Sequence, residues 1–153
     1  MALPNLFTPE VSESTIARIN RLTPDTPALW GKMNAAQMLA HCNVTYELVY
    51  DDKHPKPGPL MGFILRTFIK KGVVNEKPYK RNSPTAPAFL VTTDKDFEAE
   101  KKRLVDHIRK TQALGEAYFQ GRASHSFGVL SAGEWNNMFY KHLDHHLNQF
   151  SAT

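Results

Sequence analysis

The sequence has one cysteine, Cys42, and no apolar run near the roughly 18 residues that a membrane span needs. A lone cysteine excludes an internal disulfide framework and fits a reducing, cytoplasmic setting. The opening residues Met1 to Glu10 lack a basic stretch followed by an apolar one, so no signal peptide is expected. A strong excess of either charge is lacking as well. Nineteen Lys+Arg against fifteen Asp+Glu give a net +4, far from the dense cationic stripe of a dedicated nucleic-acid binder. There is no Gly-rich phosphate cradle, no Ser-His-Asp spacing, no internal repeat and no low-complexity tract. What is present is ordinary for a soluble domain: 153 residues, 41% hydrophobic and 22% charged. That length and composition predict one domain over residues 1–153 with a core of its own.

Helical periodicity dominates and strand-like alternation is scarce. Val11, Ile19 and Leu22 fall at helical spacing over 10–22, before the turn-rich stretch from Thr23 to Gly31. Asn34 is a good N-cap and Gln37 completes a capping-box pair, predicting a helix to about Tyr50. Pro59 suits a first helical position, and Gly72 predicts that helix's end. Residues 75–87 read as a surface loop. A fourth helix is expected over 94–114, stopping at Gly115, and a fifth from Ser131, whose partner Glu134 forms a capping box, to Phe150. Leu90 to Thr93 could be a short extended piece without a partner. The expected fold is all-α: a four-helix bundle with a short extra helix and long connecting loops.

Seven histidines stand out against this background. On the last helix, with Trp135 as origin and about 100° per residue, His142 and His146 fall within about 20° of the inward centre. Met138 and Phe139 flank them, while Asn137, Lys141, Asp144 and Asn148 gather opposite and read as the solvent face. Burying one imidazole without a partner costs on the order of 1–3 kcal/mol. Two imidazoles one turn apart on a buried face are explained together by a shared ion, since such a pair can ligate one metal. His41 lies inside the stripe of Met38, Thr45, Leu48 and Val49, about 10 Å down its own helix, the depth at which an antiparallel neighbour would bring it to the pair. His107 sits at the edge of its stripe, His145 flanks the pair, and His54 and His125 fall in loops, His125 being a further candidate to line the site. Three neutral imidazoles leave a coordination position for water or substrate. They suit Zn, Ni, Fe(II) or Cu, which lower the pKa of a coordinated water or hold a thiol as thiolate.

Two stretches carry a resemblance: Trp30-Gly-Lys-Met-Asn-Ala-Ala-Gln-Met-Leu-Ala-His41 and Glu134-Trp-Asn-Asn-Met-Phe-Tyr-Lys-His-Leu-Asp-His-His-Leu-Asn-Gln-Phe150. With them the chain resembles the DinB/YfiT-like superfamily, and more closely a DinB-like branch of unknown function. The family's early inward His and late His-x-x-x-His map onto His41, His142 and His146. The resemblance implies a four-helix bundle holding a divalent metal, often dimeric. Some relatives use low-molecular-weight thiols in transferase or isomerase reactions and others are labelled hydrolases. Where the wider family commonly has Gly before the final Gln, this chain has Asn148.

Gln37 and Gln149 face inward on the wheel and are candidates to orient a His ligand or bind a cofactor or substrate, with satisfaction of a buried carbonyl the competing role. Cys42 diverges from His41 by about 100° and reads as a buried structural thiol. Arg66, Lys70, Lys71, Lys77, Lys80 and Arg81 could hold the carboxylates of an anionic cosubstrate, or simply be a solvated face. The apolar mass of residues 60–70 suggests membrane contact, but core or dimer interface is the better reading. Glu47 points about 120° away from His41 and Glu134 is used in capping, so no general base is named. Two functions remain open. One is a metal-dependent enzyme, a thiol-dependent transferase or hydrolase acting on a small molecule. The other is a stress-associated, non-catalytic metal- or ligand-binding helical module.

Overall fold

The computed structural model describes residues 1–153 and is mostly helical. Its elements are α1 (Pro9–Asn20), α2 (Ala35–Tyr50), α3 (Pro59–Ile64), α4 (Lys70–Val74), α5 (Phe97–Phe119) and α6 (Ala132–Gln149). A π-helical turn, Leu65–Ile69, joins α3 to α4 without a break, and a 3-10 turn, Pro87–Phe89, interrupts the long loop before α5. Two-residue strands β1 (Arg122–Ala123) and β2 (Val129–Leu130) pair antiparallel in the α5–α6 connection. That hairpin was not foreseen, because two residues are too few to show an alternating pattern. Residues 90–93 contain no strand.

Helices α1, α5, α2 and α6 form the bundle, each touching the next. Both predicted capping boxes are made: Asn34 with Gln37, and Ser131 with Glu134. Each satisfies two backbone groups that a helix start leaves without partners. α2 is the central element, buried around most of its circumference from Ala35 to Glu47. Its Tyr46 stacks on Phe139 of α6, which packs with Trp135, Phe119 and Phe7 in one aromatic cluster. The N-terminal strap is tied down by Asn136, whose amide oxygen accepts from the Leu6 N–H at 2.7 Å and whose amide NH₂ donates to the Pro4 carbonyl at 3.0 Å.

Two expected helix ends differ from the structure. Gly115 does break α5, at φ 74°, but helical hydrogen bonding resumes beyond it to Phe119, so the glycine makes a kink. Gly72 does not end its helix; it lies inside α4, and the backbone turns extended only at Asn75, where ψ becomes 174°. The stop comes from α6. Lys141 Nζ donates to the carbonyls of Gly72 and Asn75 at 2.8 Å each and to Asn75 Oδ1 at 3.0 Å, and Asn137 donates to the Val74 carbonyl at 2.9 Å. These side chains take the carbonyls that a helix end leaves without partners. The supposed solvent face of α6 is therefore partly covered. Lys141 is only 4% exposed, and burial lowers its ammonium pKa to about 8. Asn148 points outward and bonds Asp144 and Arg18.

On the side of α2 away from α6, a polar network reaches α5. Asn43 donates to Glu100 through its amide NH₂ and accepts from His107 Nδ1–H through its amide oxygen, while Arg103 links Glu100 to Glu47. Glu47 also receives Lys53 at 2.7 Å and His54 at 2.8 Å. Burial pushes its carboxyl up, but Lys53, His54 and Arg103 outweigh that and hold it at about 2. An acid whose folded pKa lies below its unfolded value stabilises the fold above the unfolded pKa and loses that contribution as pH falls through the folded one. A stability loss on the order of 2–3 kcal/mol is expected between about pH 4.5 and 2. Glu47→Gln should flatten that part of the stability–pH curve, which denaturant titrations across the range would measure.

Candidate metal centre

α2 and α6 run antiparallel side by side. His41 meets both His142 and His146, and Thr45, one turn further along α2, meets His142, one turn earlier in α6. The three imidazole ring centroids stand 4.5–4.9 Å apart. One nitrogen from each of the three comes within 4.8 Å of the others. His41 Nε2 and His142 Nε2 are 3.0 Å apart, close to the spacing of two nitrogens that each bond one ion at about 2.0–2.1 Å. His41 and His146 are buried, whereas His142 keeps some accessible surface. The structure thus brings together the three imidazoles that the helical wheels pointed inward.

The other nitrogen of each ring is engaged by an oxygen. His41 Nδ1 donates to the Phe89 carbonyl at 2.8 Å, His146 Nδ1 lies 2.7 Å from Gln149 Oε1, and His142 Nδ1 lies 3.0 Å from Thr45 Oγ1. Such oxygen partners orient ring nitrogens in metal sites. Gln149 is itself locked, its amide NH₂ donating to the Trp30 carbonyl at 2.7 Å. The chain turns there through Gly31 at φ 81°, where an added Cβ would stand 2.7 Å from Gln149 Nε2. Glycine is needed at that position both for the backbone and for the close approach of the amide.

All three imidazoles are held neutral, the form that ligates metal. Burial lowers the pKa of each. His146 is taken to about 3, mainly by burial and secondarily by His41, against a rise from its Gln149 bond. Burial and the neighbouring His146 and His41 keep His142 well below the usual histidine range. His41 is lowered by burial despite the opposing Phe89 carbonyl. The donor set, three neutral nitrogens with their outer nitrogens held, fits a divalent transition metal.

The remaining candidates lie elsewhere. Gln37 caps α2, accepting from the Asn34 N–H at 3.0 Å and donating to the Thr93 carbonyl at 3.3 Å, and it is no partner of the trio. His107 pairs with Asn43 and stacks on Tyr46. His125 faces the other end of α2, at 3.1 Å from the His54 carbonyl, and does not line the trio. Cys42 is buried against Met38, and burial pushes its thiol well up, away from the reactive thiolate. His145 packs edge-on against His146 at 5.0 Å. It faces a cavity of about 200 Å³ shared with Trp30, Tyr79, Arg81, Tyr140 and Lys141, in which Arg81 lies over the Trp30 ring at 4.2 Å. Of the basic residues noted in the sequence, Arg81 lines this cavity with His145, which none of the trio lines, while Lys70 pairs with Glu134 at 3.5 Å.

Sequence reasoning missed Phe89 and gave Thr45 no role beyond its stripe. Phe89 supplies a main-chain carbonyl from a loop, which no side-chain pattern encodes. Its ring also covers the site, 5.3 Å from His41 and 5.7 Å from His142. No curated protein and no solved structure matches the chain. A family model does match, over residues 6–153, so that the three-histidine bundle belongs to the family described as "Protein of unknown function (DUF1569)".

Proposed function

We propose that this chain is a metal-dependent enzyme acting on a small molecule, of the thiol-dependent transferase or hydrolase type that its DinB-like resemblance implies. One observation carries the reading: a nitrogen of each of His41, His142 and His146 converges on one point, while the opposite nitrogen of each ring is held by an oxygen. A divalent ion bound there supplies Lewis acidity, lowering the pKa of a water or a thiol. The chain's own residues would do the rest. His41, His142 and His146 would hold the ion, two of them buried and His142 only partly so. The Phe89 ring packs over two of the ligand rings. Arg81, in the cavity lined by His145, would be the cation for a carboxylate of an anionic cosubstrate.

The test is elemental analysis of gently purified protein, followed by turnover assays of small electrophiles with low-molecular-weight thiols and of esters with water. The expected result is about one Zn, Ni or Fe per chain and turnover that chelator removes and metal restores. Stoichiometric metal without turnover in any assay would favour the non-catalytic module. No metal as isolated or after reconstitution would overturn the metal-dependent enzyme and leave at most a module that binds a ligand without metal.

A homodimer is part of the same proposal. Leu60, Met61, Phe63, Phe68 and Ile69 stand exposed along α3 and the turn after it, Phe68 at 71% and Leu60 at 75%. Apolar clusters of this kind mark interaction surfaces. Sedimentation of the wild type is expected to report a dimer that Phe68→Asp converts to monomer; a wild-type monomer at micromolar concentration would refute it.

A further inference from the structure

The hydrogen-bond partners assign the protons in the trio. A carbonyl oxygen can only accept, so the Phe89 carbonyl places a proton on His41 Nδ1. His41 being neutral, its Nε2 is bare. Gln149 spends its NH₂ on the Trp30 carbonyl, so its Oε1 faces His146 Nδ1 and places a proton there too. His146 Nε2 is bare for the same reason. His142 is the exception. Its Nε2 lies 3.0 Å from the bare Nε2 of His41, a contact that is a hydrogen bond only if His142 carries its proton on Nε2. His142 Nδ1 is then bare and accepts from the Thr45 hydroxyl at 3.0 Å. A metal requires the opposite arrangement, because all three Nε2 lone pairs must face it.

We infer that Thr45 is a positioning residue that switches from donor to acceptor at His142 Nδ1, and so lets the trio pass from its metal-free to its metal-binding tautomer. As the ion enters, the proton on His142 Nε2 is given up to water and one from water arrives on Nδ1. His142 is neutral before and after, and no net proton is consumed. The Thr45 hydroxyl rotates, ceasing to donate and accepting the new Nδ1–H. A hydroxyl can do both, since it holds one proton and two lone pairs on a freely turning bond. The partners of His41 and His146 cannot, which is consistent with those two rings already having the metal-binding tautomer. The inference rests on the metal reading for its second state only; the metal-free state is set by the bonds above.

The experiment is long-range ¹H–¹⁵N NMR of the histidine rings in the metal-free full chain and during Zn²⁺ titration, with Thr45→Val and Thr45→Ser alongside. The metal-free wild type is expected to show two rings protonated at Nδ1 and one, His142, at Nε2, and the zinc form three at Nδ1. Thr45→Val, which neither donates nor accepts, should weaken Zn²⁺ binding about 10–100-fold, the usual effect of removing a partner behind a ligand. Thr45→Ser should restore affinity to within a few-fold of the wild type. A metal-free His142 protonated at Nδ1, a His142 unchanged by zinc, or wild-type affinity in Thr45→Val would each overturn the switch while leaving the metal centre standing. A wild type that takes up no Zn²⁺ would overturn the metal reading and the switch with it. If Thr45→Val does not fold, the wild-type spectra and Thr45→Ser decide alone.

Discussion

Replacing His142 or His146 by Ala is expected to lower divalent-metal affinity by more than ~100-fold, beyond the usual cost of losing a partner behind a ligand. His145→Ala should leave affinity within a few-fold of the wild type. The three residues sit within five positions on one helix and carry the same side chain. They differ in aim. His142 and His146 share a point with His41, whereas His145 lies against the back of His146 and turns to Trp30 and Tyr79. The adventitious chelation of a histidine-rich helix would respond to all three alike, so the contrast isolates the centre. Metal titration of the purified variants, each checked for helicity, makes the comparison. Equal losses in the three variants, or none, would refute the assignment.

Lys141→Met is expected to destabilise the fold by about 2–4 kcal/mol, because it strands three oxygens that now share one buried ammonium. For a domain of this size that corresponds to a fall in Tm of roughly 5–15 °C. Lys102→Met is the control. Lys102 is 78% exposed and pairs with Asp106 on the helix surface, where solvent screening leaves such pairs contributing little. If Lys141 stood on a solvated face, as its angle on the wheel suggests, the two substitutions would behave alike. Thermal melts of both variants separate the cases, and a Lys141→Met shift as small as the control's would mean that α4 does not end on this amine.

Lys141 also marks where sequence reasoning reaches its limit. A wheel reports which side of a helix is apolar, and for α6 it correctly grouped Trp135, Phe139, His142 and His146. It reads a polar side as solvent, yet Lys141 and Asn137 are polar because they face the end of another helix, which needs donors rather than hydrocarbon. Gly72 and Gly115 show the same limit. A glycine permits a left-handed turn without requiring one; Gly115 takes it and Gly72 does not.

The sequence by itself determined the elements and their inward faces. Capping boxes at Asn34 and Ser131 and the spacing of apolar residues are local, acting over one or two turns, so they are readable without knowing what lies opposite. The inward direction of His41, His142 and His146 follows from the same periodicity. The tertiary structure alone decided what each group meets. It set the antiparallel register of α2 and α6 that brings three nitrogens within 4.8 Å, and the Phe89 carbonyl, Thr45 hydroxyl and Trp30–Gln149 lock behind them. Those contacts join residues up to 119 positions apart through backbone atoms and loops, and no residue pattern along the chain records where a distant carbonyl will come to rest.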